Sequence, residues 1–354
     1  MVSSQPIGTE RPSVPDDLHR SAVVADTHND LLIAVTARPP SRWAEFFRER
    51  WLPQLRDGGV DVQVLPVFIG DRFRPDGALR ETLRMIECAH TLAEGNADAV
   101  RLCLDGADID AALAENKIAL VLALESAPGV DANVELFSTL HRLGVRIASI
   151  AHWSRTPLAD GSGEDATGSR LTEAGVEALA EMERLGMLFD VSHLSASGVE
   201  HVLELATRPV MATHSSARAL RDHHRNLTDE QIRGIAATGG TVCVNFLPEF
   251  LAAEPAGATL DRLADHIVHI AEIAGADHVG LGPDFIQEVN DDITPPCCEE
   301  PYGFDWALPG LEGPRGLPLV TEALQRRALS EDTIRKILGG NVLDLFRKEL
   351  GRPA

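Results

Sequence analysis

The first short apolar run of the chain ends in Asp26-Thr27-His28-Asn29-Asp30. His28 and Asp30 are two residues apart, so in extended chain their side chains point the same way. An imidazole and a carboxylate on one face suit zinc or a similar divalent ion. An isolated His-x-Asp pair is also what a capped turn looks like, but this pair has company. Glu125 follows the run ALVLAL, and His152 follows VRIASI. Ser192-His193, Thr213-His214 and Gly282-Pro283-Asp284 each follow a further apolar run. Six runs that each end in a His, Asp or Glu are hard to explain as packing. They are easy to explain if the run ends meet around metal ions. Two divalent ions bring four positive charges, which Asp30, Glu125 and a hydroxide would partly balance. A carboxylate shared between two ions holds them roughly 3.5–4 Å apart, the spacing at which hydrolytic two-metal sites work.

What must position these residues is a set of strands that deliver their ends to one place. Eight short apolar runs occur in order: Val23–Ala25, Val60–Val67, Ala119–Leu124, Val145–Ile150, Met187–Val191, Val210–Thr213, Thr241–Asn245 and His278–Leu281. Between them lie amphipathic segments that predict helices over Leu79–Asn96, Val134–Leu143, Thr172–Leu185, Ser197–Ala206, Thr228–Ala237 and Leu260–Ala274. Strands alternating with helices predict parallel βαβ units, and eight of them predict an α/β fold of the (β/α)8 TIM-barrel type. The nearly unbroken apolar character of each run fits strands covered on both faces. A doubly wound open sheet is the competing architecture, but no Gly-x-Gly-x-x-Gly follows the first run. In a barrel the C-terminal strand ends share one face, where active sites form. Thr172-Glu173 and Thr228-Asp229-Glu230-Gln231 read as helix starts with a hydroxyl cap and acidic first turn.

The 354 residues fit a single barrel domain over 1–354, with a polar N-terminal extension over 1–20. The Pro-, Gly- and Glu-rich stretch 286–318 reads as a long loop over the barrel mouth. Aromatic residues are only 5% of the chain, so its core must come mainly from Ala, Val, Leu and Ile. A formal charge of −22 opposes binding to nucleic acid or to anionic membrane surfaces. No run of about 20 apolar residues is present to span a bilayer. Five cysteines, Cys88, Cys103, Cys243, Cys297 and Cys298, show no Cys-x-x-Cys spacing. They fit a reducing compartment better than a disulfide framework, and a cytoplasmic protein is the default expectation.

The chain resembles the renal (membrane) dipeptidase family, whose members are amidohydrolase-type barrels. The resemblance rests on Asp26-Thr27-His28-Asn29-Asp30-Leu31, Glu125, Asp190-Val191-Ser192-His193 and Thr213-His214-Ser215-Ser216-Ala217. It continues through His223-His224-Arg225-Asn226-Leu227, Asp284-Phe285 and Ile337-Leu338-Gly339-Gly340-Asn341. The resemblance implies a binuclear site of two zinc ions. His28 and Asp30 would bind one, His193 and His214 the other, and Glu125 both. It implies that His152 polarises the scissile carbonyl, that Arg225 pairs with the substrate's C-terminal carboxylate, and that Asp284 moves protons. The implied reaction is dipeptide hydrolysis by a metal-bridging hydroxide, with L,D-dipeptides among the substrates. Dimers are common in that family, so a homodimer is an open option.

Three positions depart from the family's pattern. Ser126-Ala127 stand where glycines are usual after Glu125. Arg155 stands where Asn is common. Pro283-Asp284-Phe285-Ile286-Gln287 replaces the usual Ser-Asp-Phe-Asp-Gly. None removes an implied ligand, so the departures bear on substrate choice. Arg155 adds a positive charge that would suit an acidic substrate side chain. Two alternatives stay open at this point: a related amidohydrolase acting on a lactam or N-acyl amide, and a non-catalytic metal-binding scaffold.

Overall fold

All eight apolar runs become strands of one parallel sheet that closes on itself. The computed structural model describes residues 17–294 and 304–352. Its strands are β1 (Val24–Asp26), β2 (Val60–Val67), β3 (Val100–Leu102), β4 (Ile118–Leu124) and β5 (Val145–Ala148), followed by β6 (Leu188–Asp190), β7 (Val210–Ala212), β8 (Thr241–Val244) and β9 (Val279–Leu281). Eight of them form the ring β1-β2-β4-β5-β6-β7-β8-β9, which closes where Asp26 pairs with Leu281. The ninth, β3, has no counterpart among the eight runs. It pairs with Ile118–Leu120 at the start of β4, and β5 pairs with β4 from Leu122 onward.

Alternation along the strands sorts the core into two layers. Val62, Val64, Ala119, Val121, Ile147 and Met211 belong to an inner cluster. Leu65, Val67, Leu120, Leu122 and Leu124 belong to the larger cluster that packs against the surrounding helices. The inner residues are mostly small or branched, as the low aromatic content requires. Ile109 and Ala112 of the helix Gly106–Ala114, with Leu343 and Phe346 of the helix Asn341–Glu349, extend the inner cluster. Gly339 permits the approach of this C-terminal segment to β1: a Cβ there would sit 2.6 Å from the Val23 carbonyl oxygen.

The helix Leu260–Ala274 has the predicted bounds, and Glu173–Leu185 and Asp229–Ala237 differ from theirs by one residue at the start. Thr172 and Thr228 cap the latter two as expected, and Gln231 completes a capping box with Thr228. Each cap is worth about 1 kcal/mol of helix stability.

Two expectations change. The polar N-terminal extension joins the fold from Asp17 onward, while residues 1–16 lie outside the described residues. His19 is buried, with Nδ1 2.7 Å from Thr321 Oγ1 and Nε2 2.9 Å from the Gly58 carbonyl oxygen. The stretch 286–318 is not simply a mouth loop. Gln287–Asp292 is a helix, Leu317 begins another, and 295–303, with Cys297 and Cys298, lie outside the described residues. The stretch leaves the mouth at Asp284 and reaches the opposite end of the barrel at Pro314. There Pro314 packs on Gly58, whose Cβ, if present, would lie 2.1 Å from the Pro314 oxygen. Two of its acidic residues pair with Arg50 of the outer helix Phe47–Trp51, which lies 3.0 Å from Asp292 and 3.9 Å from Glu288.

Glu288 carries a stability signature. Burial raises its pKa to about 7, against the pull of Arg50 and Arg315. Its Oε2 has no hydrogen-bond partner among the described residues. A carboxyl raised in this way holds its proton more tightly folded than unfolded, so stability falls as pH rises from the unfolded pKa to about 7. Glu288→Gln removes that loss. It is expected to match the wild type near pH 5 and exceed it by about 1–3 kcal/mol near pH 8. Urea unfolding at the two pH values reads this directly. An offset that does not grow with pH would contradict it.

Candidate metal centre

The ends of the barrel strands carry the polar residues, and local bonding aims them. After β1, Asp26 Oδ1 accepts the His28 amide at 2.9 Å, and Asn29 Oδ1 accepts the Leu31 amide at 3.1 Å. Thr27 Oγ1 donates to the Thr213 carbonyl oxygen at 2.5 Å, fastening the end of β1 to the end of β7. Gly282 lets β9 approach the same place, because a Cβ there would lie 1.8 Å from the Thr213 oxygen. The Asp284 amide then donates to the His28 carbonyl at 3.0 Å.

Glu125 lies at the centre and is 5% exposed. Its Oε2 faces His28 Nε2 at 3.5 Å. Its Oε1 faces His193 Nε2 at 2.9 Å, and the Nε2 atoms of His152 and His214 at 3.6 Å each. His193 and His214 bring their Nε2 atoms to 2.9 Å from each other. The His28 and His214 rings lie 3.6 Å apart between centroids, and those of His152 and His193 4.0 Å. Asp284 Oδ1 is 4.0 Å from His28 Nε2. Metal-ligating atoms gather within 4.8 Å in three overlapping groups: His28–Glu125–His214, Glu125–His152–His193 and His28–Asp30–Asp284. All seven residues expected from the strand ends are therefore together. The grouping adds Asp284 to His28 and Asp30, and brings His152 within reach of Glu125.

Left-handed backbone at non-glycine residues concentrates here. Ser126 (φ 64°), Ala127 (φ 39°), His193 (φ 70°) and Asp284 (φ 60°) all adopt it. Such conformations cost of order 1–3 kcal/mol each and persist where the surroundings impose them. Ser126-Ala127 thus keep a backbone that glycines would adopt more cheaply. Ser126 is held on both sides: its amide donates to Ser149 Oγ at 2.9 Å, and its hydroxyl accepts from Arg74 at 2.5 Å.

The donor set fits divalent metal. His28 Nε2 is buried without a hydrogen-bond partner among the described residues, yet two carboxylates face it. Burial opposes charge on His28, but Glu125, Asp284 and Asp30 overcome it and push its pKa up to about 10. Burial, with Arg225 nearby, lowers His193 and His214 well below the ordinary histidine value, which leaves them neutral. Neutral imidazole is the form that binds metal. Burial also opposes charge on Glu125, and the surrounding histidines still hold its pKa well below the usual range. A site that keeps Glu125 ionised beside the neutral His193 and His214, and whose carboxylates draw positive charge onto His28, suits a cation.

Arg225 is buried beside this cluster. It donates to Ser215 Oγ at 2.9 Å and to the His214 carbonyl at 2.7 Å, and its Nε has no partner among the described residues. Burial lowers its pKa only to about 10, so it stays charged at neutral pH. Arg155 stands apart: its guanidinium grips the buried Asp160 with two hydrogen bonds. A substrate carboxylate at Arg155 has to compete with Asp160, which weakens the expected preference for acidic side chains. One functional neighbour escaped the sequence reading. Asn245, at the end of β8, donates to Asp284 Oδ2 at 2.9 Å and orients it. The signal was there, since Asn245 is a polar residue closing an apolar run like the others.

The profile of the membrane dipeptidase family (peptidase family M19) matches residues 15–295. The chain belongs to this family. Membership makes it a hydrolase of the metallopeptidase kind. It is 31% identical to an uncharacterized dipeptidase of Schizosaccharomyces pombe, over 94% of this chain and 82% of that one. A crystal structure of a family member described as dipeptidase AC superposes with a TM-score of 0.82 and 26% identity, covering 94% of this chain and all (100%) of that one. A metallopeptidase of Rhodobacter sphaeroides, solved with a phosphinate mimic of L-Ala-D-Ala, gives a TM-score of 0.80 and 25% identity over 93% and 99% of the two chains. Despite the family's name, no helix among the described residues is long and apolar enough to cross a membrane.

Proposed function

We propose that the protein is a binuclear zinc dipeptidase, and that its substrates include dipeptides with a D-residue at the C-terminal position. The observation that carries this reading is the division of Glu125. One oxygen faces His28, and the other faces His193 and His214. A carboxylate placed in this way is suited to be shared between two ions. His28 and Asp30 would hold the first ion, and His193 and His214 the second. The Rhodobacter sphaeroides relative with its L-Ala-D-Ala mimic supports the stereochemical part.

Bound zinc would polarise the scissile carbonyl and make a water nucleophilic at neutral pH. The chain's own residues do the rest. Arg225 takes the substrate carboxylate, for which its unpartnered Nε–H and fixed plane are suited. His152 has a side chain 28% exposed, so it can meet the carbonyl oxygen from the open side of the site and donate a hydrogen bond as charge develops there. Burial and the Glu125 charge raise the pKa of Asp284, against the pull of His28, Asn245 and Arg225. A carboxyl in that state can hold a proton and pass it to the leaving amine.

Metal analysis and a substrate panel test the reading together. Purified protein is expected to carry two zinc ions per chain, lose activity by at least about 10³-fold on chelation, and recover it with zinc. The panel should contain L,L- and L,D-dipeptides, β-lactams and N-acyl amides. Full activity without metal, or turnover confined to lactams or N-acyl amides, would reject the proposal.

A further inference from the structure

The metal-facing nitrogen of a histidine is chosen by the hydrogen bond at its other nitrogen. For His214 that bond leads away from the site, through Thr213, to a buried carboxylate on the next strand. Thr213 Oγ1 lies 2.7 Å from His214 Nδ1 and 2.5 Å from Asp190 Oδ2. The other carboxylate oxygen, Asp190 Oδ1, accepts the amides of Ser192 and Thr213 at 2.9 Å each. All three side chains are buried.

The protons in this chain can be counted. Asp190 as carboxylate only accepts, and a hydroxyl has one proton to give. The shortest contact of Thr213 Oγ1 is to Asp190, so that proton goes to the carboxylate. The remaining hydroxyl near it, Ser192 Oγ at 3.4 Å, already accepts the His214 amide at 3.2 Å, so its own proton can be directed at Thr213. Thr213 oxygen is therefore an acceptor toward His214, whose proton must sit on Nδ1. The Nε2 lone pair is then left pointing at Glu125 and His193. The Thr213 backbone is held on both sides, its amide donating to Asp190 Oδ1 and its carbonyl accepting from the Thr27 hydroxyl. His193 has no equivalent: its Nδ1 is buried without a hydrogen-bond partner among the described residues.

We propose that Asp190 and Thr213 are positioning residues that fix the tautomer and ring plane of His214, and so set the metal affinity of the His193–His214 position. The inference rests on the assignment of His214 as a ligand made above. Asp190→Asn reverses the relay with almost no change of shape. The Asn oxygen must stay on the two backbone amides, so its NH2 faces Thr213. Thr213 then turns its proton to His214 Nδ1 and moves the imidazole proton to Nε2, where it blocks coordination.

The test measures zinc stoichiometry and affinity by chelator competition in the full-length protein. Thermal unfolding runs in parallel. Thr213→Val and Asp190→Asn are expected to bind one of the two zinc ions about 10- to 100-fold less tightly and leave the other unchanged, while Thr213→Ser binds both like the wild type. Nitrogen-15 histidine NMR of the metal-free wild type should show the His214 proton on Nδ1, a readout that does not depend on any variant folding. A folded Asp190→Asn protein with wild-type affinity for both ions, or a wild-type His214 proton on Nε2, overturns the relay. A wild type that binds no zinc would instead refute the metal-site reading itself.

Discussion

Glu125→Gln is expected to lower kcat/KM for dipeptide cleavage by on the order of 10³-fold or more, and to reduce bound zinc below two per chain. The amide keeps the shape but loses the charge and one of the two acceptor oxygens. In the proposed site both sides depend on those oxygens, because Oε2 faces His28 and Oε1 faces His193 and His214. The substitution should therefore weaken both ions, whereas replacing His193 or His214 should weaken mainly one. Steady-state kinetics with metal analysis on the same samples distinguish the two patterns. A Glu125→Gln protein with two zinc ions and near-normal turnover would dismiss the shared carboxylate.

Arg225→Met is expected to act on the substrate rather than on the metals. Removing one partner of a buried charge pair typically costs about 2–5 kcal/mol, so kcat/KM for free dipeptides should fall by roughly 30- to 5,000-fold, mostly through KM. Dipeptide C-terminal amides, which offer no carboxylate, should be poor substrates for the wild type and change little in the variant. Arg225 also braces the His214 carbonyl and Ser215, so zinc content has to be measured beside the kinetics. Equal losses on dipeptides and their amides would mean that Arg225 only supports the fold.

The sequence made the barrel and its candidate metal ligands legible for one physical reason. Strands buried on both faces must be apolar throughout, so a polar residue that closes such a run stands out. His28, Asp30, Glu125, His152, His193, His214 and Asp284 were all visible in this way, and all meet at the mouth. What stayed hidden were the pairings between side chains, near and far in the chain. The pattern of apolar runs does not say that Asp160 holds Arg155, that Asn245 orients Asp284, or that Arg50 pairs with Glu288 and Asp292. β3 was hidden for another reason. It is three residues long with two only half buried, and so lacks the apolar run that marks the ring strands. The 295–303 segment, with Cys297 and Cys298, lies outside the described residues.

The closure of the ring has a consequence in time. Asp26 pairs with Leu281, and the Asp284 amide reaches back to the His28 carbonyl across more than 250 positions of chain. A ribosome delivers His28 long before it delivers Asp284. A growing chain that ends before β9 can present its imidazoles but has no second edge for β1 to meet. Contacts that span so much of the chain also form slowly. Uptake of the proposed zinc ions would therefore be an event of the finished polypeptide, and fragments truncated ahead of β9 are expected to emerge from synthesis unable to retain them, however many of the histidines they contain.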